Sequence, residues 1–264
     1  MSEPVPVSLA VIGGTGLQAL AGFQAEAEHA LQTPFGAPSA PVQDGRLAGT
    51  RCLFLARHGV PHRIPPHRIN YRANLWALRE LGAEAILAVN AVGGINPALS
   101  PGRLVIPDQV IDYTWGREHS YYDGDGFSAP ASDRLTALEH VDFTDPYDGE
   151  LRLRVAAHAE AAGLAITVGG TYAATQGPRL ETAAEIRRLA VDGCDVVGMT
   201  GMPEAALARE LGLPYASLCI VVNAAPGLGS EPITLDVMRE VLEAGSAQVA
   251  ELLQSLLGRW ATAG

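Results

Sequence analysis

Five short stretches of this 264-residue chain carry side chains able to hold an anion or a heterocycle. In "LAVIGGTGL" an apolar run ends in Gly13-Gly14-Thr15-Gly16. Glycines let the backbone approach a ligand and aim N–H groups at an anion, and Thr15 adds a hydroxyl. The same residues also suit a tight strand-to-helix turn. The spacing is not G-x-G-x-x-G, so a dinucleotide site is only weakly indicated. In "LFLARHG" Arg57 and His58 leave an apolar run together. A guanidinium and an imidazole at one strand end can clamp an oxyanion. His62 and His67 follow, but Pro61, Pro65 and Pro66 forbid the helix that would align three imidazoles on a metal. No metal site is expected.

The other three stretches each allow two jobs. Glu181, in "GGTYAATQGPRLETAAE", stands before a helical pattern. There it can favour the helix N-terminus or accept a ring N–H. Thr200, in "VVGMTGMPEAALARELG", can cap the next helix or offer its hydroxyl and the helix end to a phosphate. Asn223 ends the apolar run of "SLCIVVNAAPGLG" and opens a loop of small residues. It can cap a turn or read the edge of a base.

Composition narrows the chemistry. The net charge is −11, and all 18 basic residues are arginine. Without lysine there is no lysine Schiff base, no ordinary pyridoxal chemistry and no Walker-type phosphate lysine. The acidic balance disfavours a nucleic-acid partner. Cys52, Cys194 and Cys219 lie in apolar runs and read as small core residues. The start, "MSEPVPVSLAVIGG", lacks a basic n-region, and no run of about 18 apolar residues occurs. A cytoplasmic protein with no membrane partner is expected.

These residues need elements to position them. Short apolar runs alternate with amphipathic segments, which gives the α/β class. Strands are expected over 9–12, 52–56, 85–90, 103–110, 167–175, 196–198 and 215–222. Helices are expected over 71–81, 149–162, 183–191, 203–211 and 235–257, with Gly82, Gly163, Gly193 and Gly212 at C-caps and Pro203 in a first turn. The stretch 112–148 is irregular and holds several aromatics, which suits a binding or interface loop. No composition break divides the chain, so a single domain over 1–264 is expected.

Taken together, "VIGGTGL", "ARHG", "INYRANLWAL", "AVGGINPALSPGRLVIPDQVID", "GTYAATQGPRLETAAE" and "VVGMTGMPEAALARELG" resemble the trimeric purine nucleoside phosphorylase superfamily. "TPFG" and "YDG" bring the chain nearest its methylthioadenosine phosphorylase branch. The resemblance covers about residues 8 to 257. It implies one domain around a distorted, partly barrel-like mixed sheet flanked by helices, assembled as a homotrimer. It implies phosphorolysis of a nucleoside, with inorganic phosphate as co-substrate and no metal, cofactor or covalent intermediate. By resemblance, Thr15, Arg57, His58, the backbone at Ala91 and Thr200 form the phosphate site. Asn90 stands where the family often has threonine. Met199 would lie under the ribose, Leu180 beside the substrate, and His140 would reach a neighbouring subunit's site.

Base and sugar preferences follow from departures within that family. Methylthioadenosine phosphorylases carry aspartates where this chain has Asn223 and Ala225, and usually a serine at Glu181. The Glu181–Asn223 pair instead resembles the one that reads inosine and guanosine. Ionised Glu181 can accept from N1–H of a 6-oxopurine, while the Asn223 amide donates to O6 and accepts from N7–H. Inosine enzymes place a histidine near the 5′-hydroxyl, where alignment puts Met238. Leu235 and Met238 share one helix face, which would favour a thioether. The expected reaction is phosphorolysis of S-methyl-5′-thioinosine to hypoxanthine and 5-methylthioribose 1-phosphate. Alternatives are an inosine/guanosine phosphorylase, a methylthioadenosine phosphorylase, or a non-catalytic nucleotide-binding module.

Overall fold

The computed structural model describes residues 9–17, 19–122, 139–229 and 235–260, with side chains omitted at 235–237. Its centre is β5 (Ile86–Gly94). One edge of β5 pairs in parallel with β1 (Leu9–Gly13), which in turn pairs with β4 (Thr50–Ala56). The other edge pairs in parallel with the long β11 (Tyr215–Ala224). Strands buried on both faces should be mainly apolar, and these are, with Asn90 of β5 and Ser217 of β11 as buried polar exceptions. Leu9 and Val11 of β1 enter one core with Cys52 and Phe54 of β4, while Ala10 and Ile12 enter another with Leu53 and Leu55. The period of two thus serves two cores at once.

Helices cover both faces. The helices α1 (Tyr71–Glu80) and α4 (Gly201–Glu210) pack together over the first core. On the second, α2 (Gly149–Ala161) packs with α5 (Leu235–Gly258). A fifth helix, α3 (Ala183–Val191), covers a small third core that includes Ile95, Ala173 and Val197. The four glycines expected past helix ends, Gly82, Gly163, Gly193 and Gly212, all have positive φ.

Two expected strands are each broken in two. The stretch 103–110 becomes β6 (Leu104–Ile106) and β7 (Gln109–Asp112), interrupted at Pro107. The stretch 167–175 becomes β8 (Ile166–Val168) and β9 (Thr171–Ala174), interrupted by Gly169 and Gly170 at φ +97° and +108°. The breaks match: β6 pairs with β8, and β7 with β9. The first pair joins the sheet through β11, the second through β10 (Val196–Gly198), so the mixed sheet branches around β5. Two strands were not expected. The antiparallel pair β2 (Gln24–His29) and β3 (Val42–Leu47) extends the sheet beyond β4. β2 reads QAEAEH and is almost wholly exposed, so no hydrophobic pattern betrays it.

Candidate active site

The C-terminal ends of β1, β4, β10 and β11 converge with the second half of β5 on one cavity of about 160 Å³. Gly14 and Thr15 enter from β1, Arg57 and His58 from β4, and Ala91 from β5. Met199 and Thr200 follow β10, Val222 and Asn223 lie at the end of β11, and Leu180 and Glu181 precede α3. Met238 and Leu242 of α5 complete the wall. Of the residues expected from sequence, two stand apart. Leu235 opens α5, but its side chain is outside the described residues. His140 is exposed and does not line this chain's cavity.

Close approach explains the first glycines. A Cβ on Gly14 would sit 2.5 Å from the Val89 carbonyl oxygen and 2.9 Å from Arg57 Nη1. Only glycine lets the β1 turn pass so near the guanidinium. Arg57 itself is fully buried. Its Nε and Nη2 each donate to a different oxygen of Glu204 at 2.8 Å, and Nη1 donates to Val89 O at 3.0 Å. Tyr215 adds its hydroxyl to Glu204 at 2.9 Å. These contacts leave one N–H on Nη1 and one on Nη2, the outer edge of the fork. Burial pulls the Arg57 pKa down, but the adjacent Glu204 carboxylate outweighs it and holds the pKa above its ordinary value. The cation is permanent, and its orientation is fixed from behind.

His58 is also held from behind. Its Nδ1 lies 2.8 Å from the Ile64 carbonyl oxygen. A carbonyl can only accept, so Nδ1 carries the hydrogen and neutral His58 has a bare Nε2. Burial, then the neighbouring Arg57 charge, push its pKa down to about 4. His62 sits edge-on to the His58 ring, with centroids 4.4 Å apart. Among the described residues no group of three or more His, Cys, Asp or Glu is arranged to hold a metal.

Thr200 does not cap its helix. It occupies the N-cap position of α4, but its side chain makes no cap bond and donates instead to Asn90 Oδ1 at 2.8 Å. Asn90 in turn donates through Nδ2 to Ser217 Oγ at 2.7 Å. All three side chains are buried, so the β5 position before Ala91 fixes the Thr200 hydroxyl.

Glu181 is similarly released from helix duty. The capping box of α3 is built by Thr182 and Glu185. Glu181 Oε1 accepts from the Thr175 hydroxyl at 2.6 Å, while the carboxylate lies between the first cavity and a neighbouring one of about 310 Å³. Asn223 owes its position to a slip in register. β11 pairs residue for residue with β5 up to Val221, then skips Val222, so that Asn223 faces Gly93. An extra residue of this kind re-aims the side chains beyond it. Val222 and Asn223 consequently both line the cavity, and Asn223 Nδ2 donates to Ala224 O at 2.6 Å. That bond pins the amide as a turn cap would, yet leaves Oδ1 and one N–H uncommitted by it.

Three contributors escaped sequence reading. Glu204, which fixes Arg57, looks like an ordinary first-turn acid of α4. Leu242 lies one helical turn beyond Met238, and an i,i+4 count on α5 would have found it. Arg117 comes from the irregular segment and offers no motif.

The Phosphorylase superfamily pattern matches residues 8–258. A protein of Pseudomonas syringae pv. tomato named probable S-methyl-5′-thioinosine phosphorylase is 52% identical over 248 residues, covering 94% of this chain and 97% of that protein. A 6-oxopurine nucleoside phosphorylase of Pyrococcus furiosus is 45% identical, covering 93% and 90%. Among solved structures, methylthioadenosine phosphorylase from Schistosoma mansoni in complex with adenine has a TM-score of 0.91 and 31% identity, covering 98% of this chain and 93% of that one. The strand-end cavity, the pattern spanning it and these full-length likenesses agree: the chain belongs to the Phosphorylase superfamily.

Proposed function

We propose that the chain is a single-domain pentosyltransferase that phosphorolyses S-methyl-5′-thioinosine, giving hypoxanthine and 5-methylthioribose 1-phosphate. The observation that carries the reading is one cavity shared by Arg57, His58 and Thr200, by Glu181 and Asn223, and by Met238 and Leu242. The first group meets phosphate, the second a 6-oxopurine, the third an apolar 5′ substituent. The relative named for this substrate supports the same assignment.

In the reaction, a phosphate oxygen attacks the anomeric carbon as its bond to N9 breaks. The electron pair of that bond passes to the purine, which takes at N7, through solvent, the proton that the phosphate gives up on becoming the sugar ester. The outer fork of Arg57, the Thr15 hydroxyl and the backbone at Ala91 hold the anion. His58 Nε2 accepts from a P–O–H, and Thr200 lies against the same oxygens. Fixed dipoles in a dry cavity are worth more than the same groups in water. Met199 supports the ribose, and Leu180 lies against the substrate. Glu181 accepts from N1–H. Asn223 donates to O6 and accepts from N7–H as charge moves onto the base. Adenine reverses both polarities, at about 1–3 kcal/mol for each unsatisfied buried group.

The reading includes a cytoplasmic homotrimer in which His140 reaches a neighbouring site, with no cofactor beyond phosphate. Among the described residues no helix is long and apolar enough to cross a membrane. A second reading, cleavage of inosine or guanosine, draws on the same Glu181–Asn223 pair and on the 6-oxopurine relative. Met238 and Leu242 on the remaining wall favour the thioether.

Parallel assays of methylthioinosine, inosine and methylthioadenosine, with and without phosphate, test the assignment. Fastest phosphate-dependent release of hypoxanthine from methylthioinosine is expected. Equal or better turnover of methylthioadenosine would refute the base assignment.

A further inference from the structure

Arg117 does not line the cavity, yet it touches the segments that do. The residue is buried. Its Nη2 donates to the carbonyl oxygens of Thr175 at 3.2 Å and Gln176 at 2.8 Å. Its Nη1 donates to Met199 O at 2.8 Å and Met202 O at 2.6 Å. Nη1 also lies 3.3 Å from the Tyr71 hydroxyl, which itself donates to Pro66 O at 2.9 Å. Nε reaches Gln176 Oε1 at 3.3 Å. None of the ion pairs found among the described residues includes Arg117.

The pattern of acceptors is informative. A buried cation is ordinarily neutralised by a carboxylate. This one is solvated by main-chain carbonyls from separate elements. Thr175 and Gln176 start the loop that ends at Glu181. Met199 and Met202 bracket Thr200. Pro66, reached through Tyr71, forms a further wall of the cavity. The planar fork of arginine can bridge several carbonyls at fixed spacing, which a lysine ammonium cannot do. Gly177 shows how tight the junction is: at φ +62° it packs so that a Cβ would lie 2.5 Å from Met199 Sδ.

We propose that Arg117 is a positioning residue that fixes the distance between the base-holding loop at Glu181 and the sugar- and phosphate-holding turn at Met199–Thr200. In-line displacement needs nucleophile, anomeric carbon and leaving base in register, and a shift of about 1 Å can cost roughly a hundredfold in rate. Backbone pairing already joins the roots of the two walls, since β9 pairs with β10 and Thr175 N donates to Gly198 O at 2.8 Å. Arg117 ties the segments beyond that ladder, which carry Glu181 on one side and Thr200 on the other. The kinetic part of this inference rests on the phosphorolysis reading above; the structural part does not.

The test uses Arg117→Lys and Arg117→Gln in the full chain. Near-UV circular dichroism gives the folded fraction, and rates are normalised to it. The expected result is a fall in kcat of about 100-fold, with KM for phosphate and for nucleoside each changing much less. Hydrogen–deuterium exchange should quicken in 175–181 and 199–204 while β1 and β4 stay protected. Lysine keeps the charge but not the fork, so it should restore little of kcat. Unchanged kcat in folded variants, or exchange that quickens uniformly, overturns the proposal. So does failure of both variants to fold, which would make Arg117 a folding element. If the wild-type chain cleaves none of the three nucleosides, the function reading fails, and the exchange pattern alone still decides the role of Arg117.

Discussion

Replacing Glu204 by glutamine probes how Arg57 is held. The carboxylate is fully buried, takes two guanidinium N–H groups at 2.8 Å and the Tyr215 hydroxyl at 2.9 Å. An amide keeps the shape but turns one acceptor into a donor that faces an N–H. Arg57 then remains charged and buried without a counter-ion. Breaking one side of such a pair costs about 3–5 kcal/mol. Two charge-assisted hydrogen bonds at roughly 1.5–3 kcal/mol each lead to a similar figure. For a chain of this size the melting temperature should fall by about 6–20 °C. Free to turn, Arg57 should also lose its outer edge on the anion, raising the KM for phosphate at least about tenfold. Urea unfolding followed by circular dichroism on wild type, Glu204→Gln, Arg57→Met and the double variant measures the coupling. The double variant should be less damaged than the two single losses combined, by about 2 kcal/mol or more. A loss below about 1 kcal/mol for Glu204→Gln, with phosphate KM unchanged, would refute the idea that this pair sets the guanidinium.

Other perturbations address the base, the sugar and pH. Glu181→Ser with Asn223→Asp should shift the ratio of kcat/KM values toward methylthioadenosine by roughly a hundredfold; a strict 6-oxopurine preference in that variant would dismiss the pair as the reader. Met238→His should favour inosine over methylthioinosine in the same competition assay, and no change would return Met238 to ordinary packing. Because the His58 pKa is held at about 4 in the fold against an ordinary 6.5, the unfolded chain takes up this proton first as pH falls. This residue's contribution is therefore complete above pH 6.5 and is lost down to pH 4, with about 2 kcal/mol gone by pH 5. Urea titrations at pH 7 and pH 5 should show a smaller acid loss in His58→Gln; an identical loss would mean that His58 titrates normally.

Much of this fold is legible in the sequence because its central strands are apolar on both faces. The strands expected over 9–12, 52–56 and 196–198 lie within two residues of the observed bounds, and the helix expected over 183–191 coincides with α3. Edge pairing was not legible. β2 has no buried side and is stabilised by its ladder to β3, a long-range contact that leaves no local trace. The broken strands failed for a related reason. Pro107 and the Gly169–Gly170 pair are visible as interruptions, but that both segments step across together is a fact of pairing. At the site, Thr15, Arg57, His58, Glu181, Thr200 and Asn223 could be named because strand ends and helix starts mark them. Their supporting residues could not. Glu204 sits mid-motif as a routine helix acid, and Arg117 lies in a segment without periodicity. A side chain that acts on backbone carbonyls has no partner to covary with in pattern or charge.

The single unpaired residue at the end of β11 separates two selective pressures. Before it, each position of the strand is a packing decision shared with β5, and a change there threatens folding. After it, Asn223 is half-buried and lines the cavity, where the proposed reading gives it the purine to meet. Glu181 is in the same position, since Thr182 and Glu185 already start the helix behind it. On the proposed reading, substrate choice can thus drift through two side chains while the scaffold stays constant. Relatives named for different purines on one backbone are the outcome such a division would leave behind.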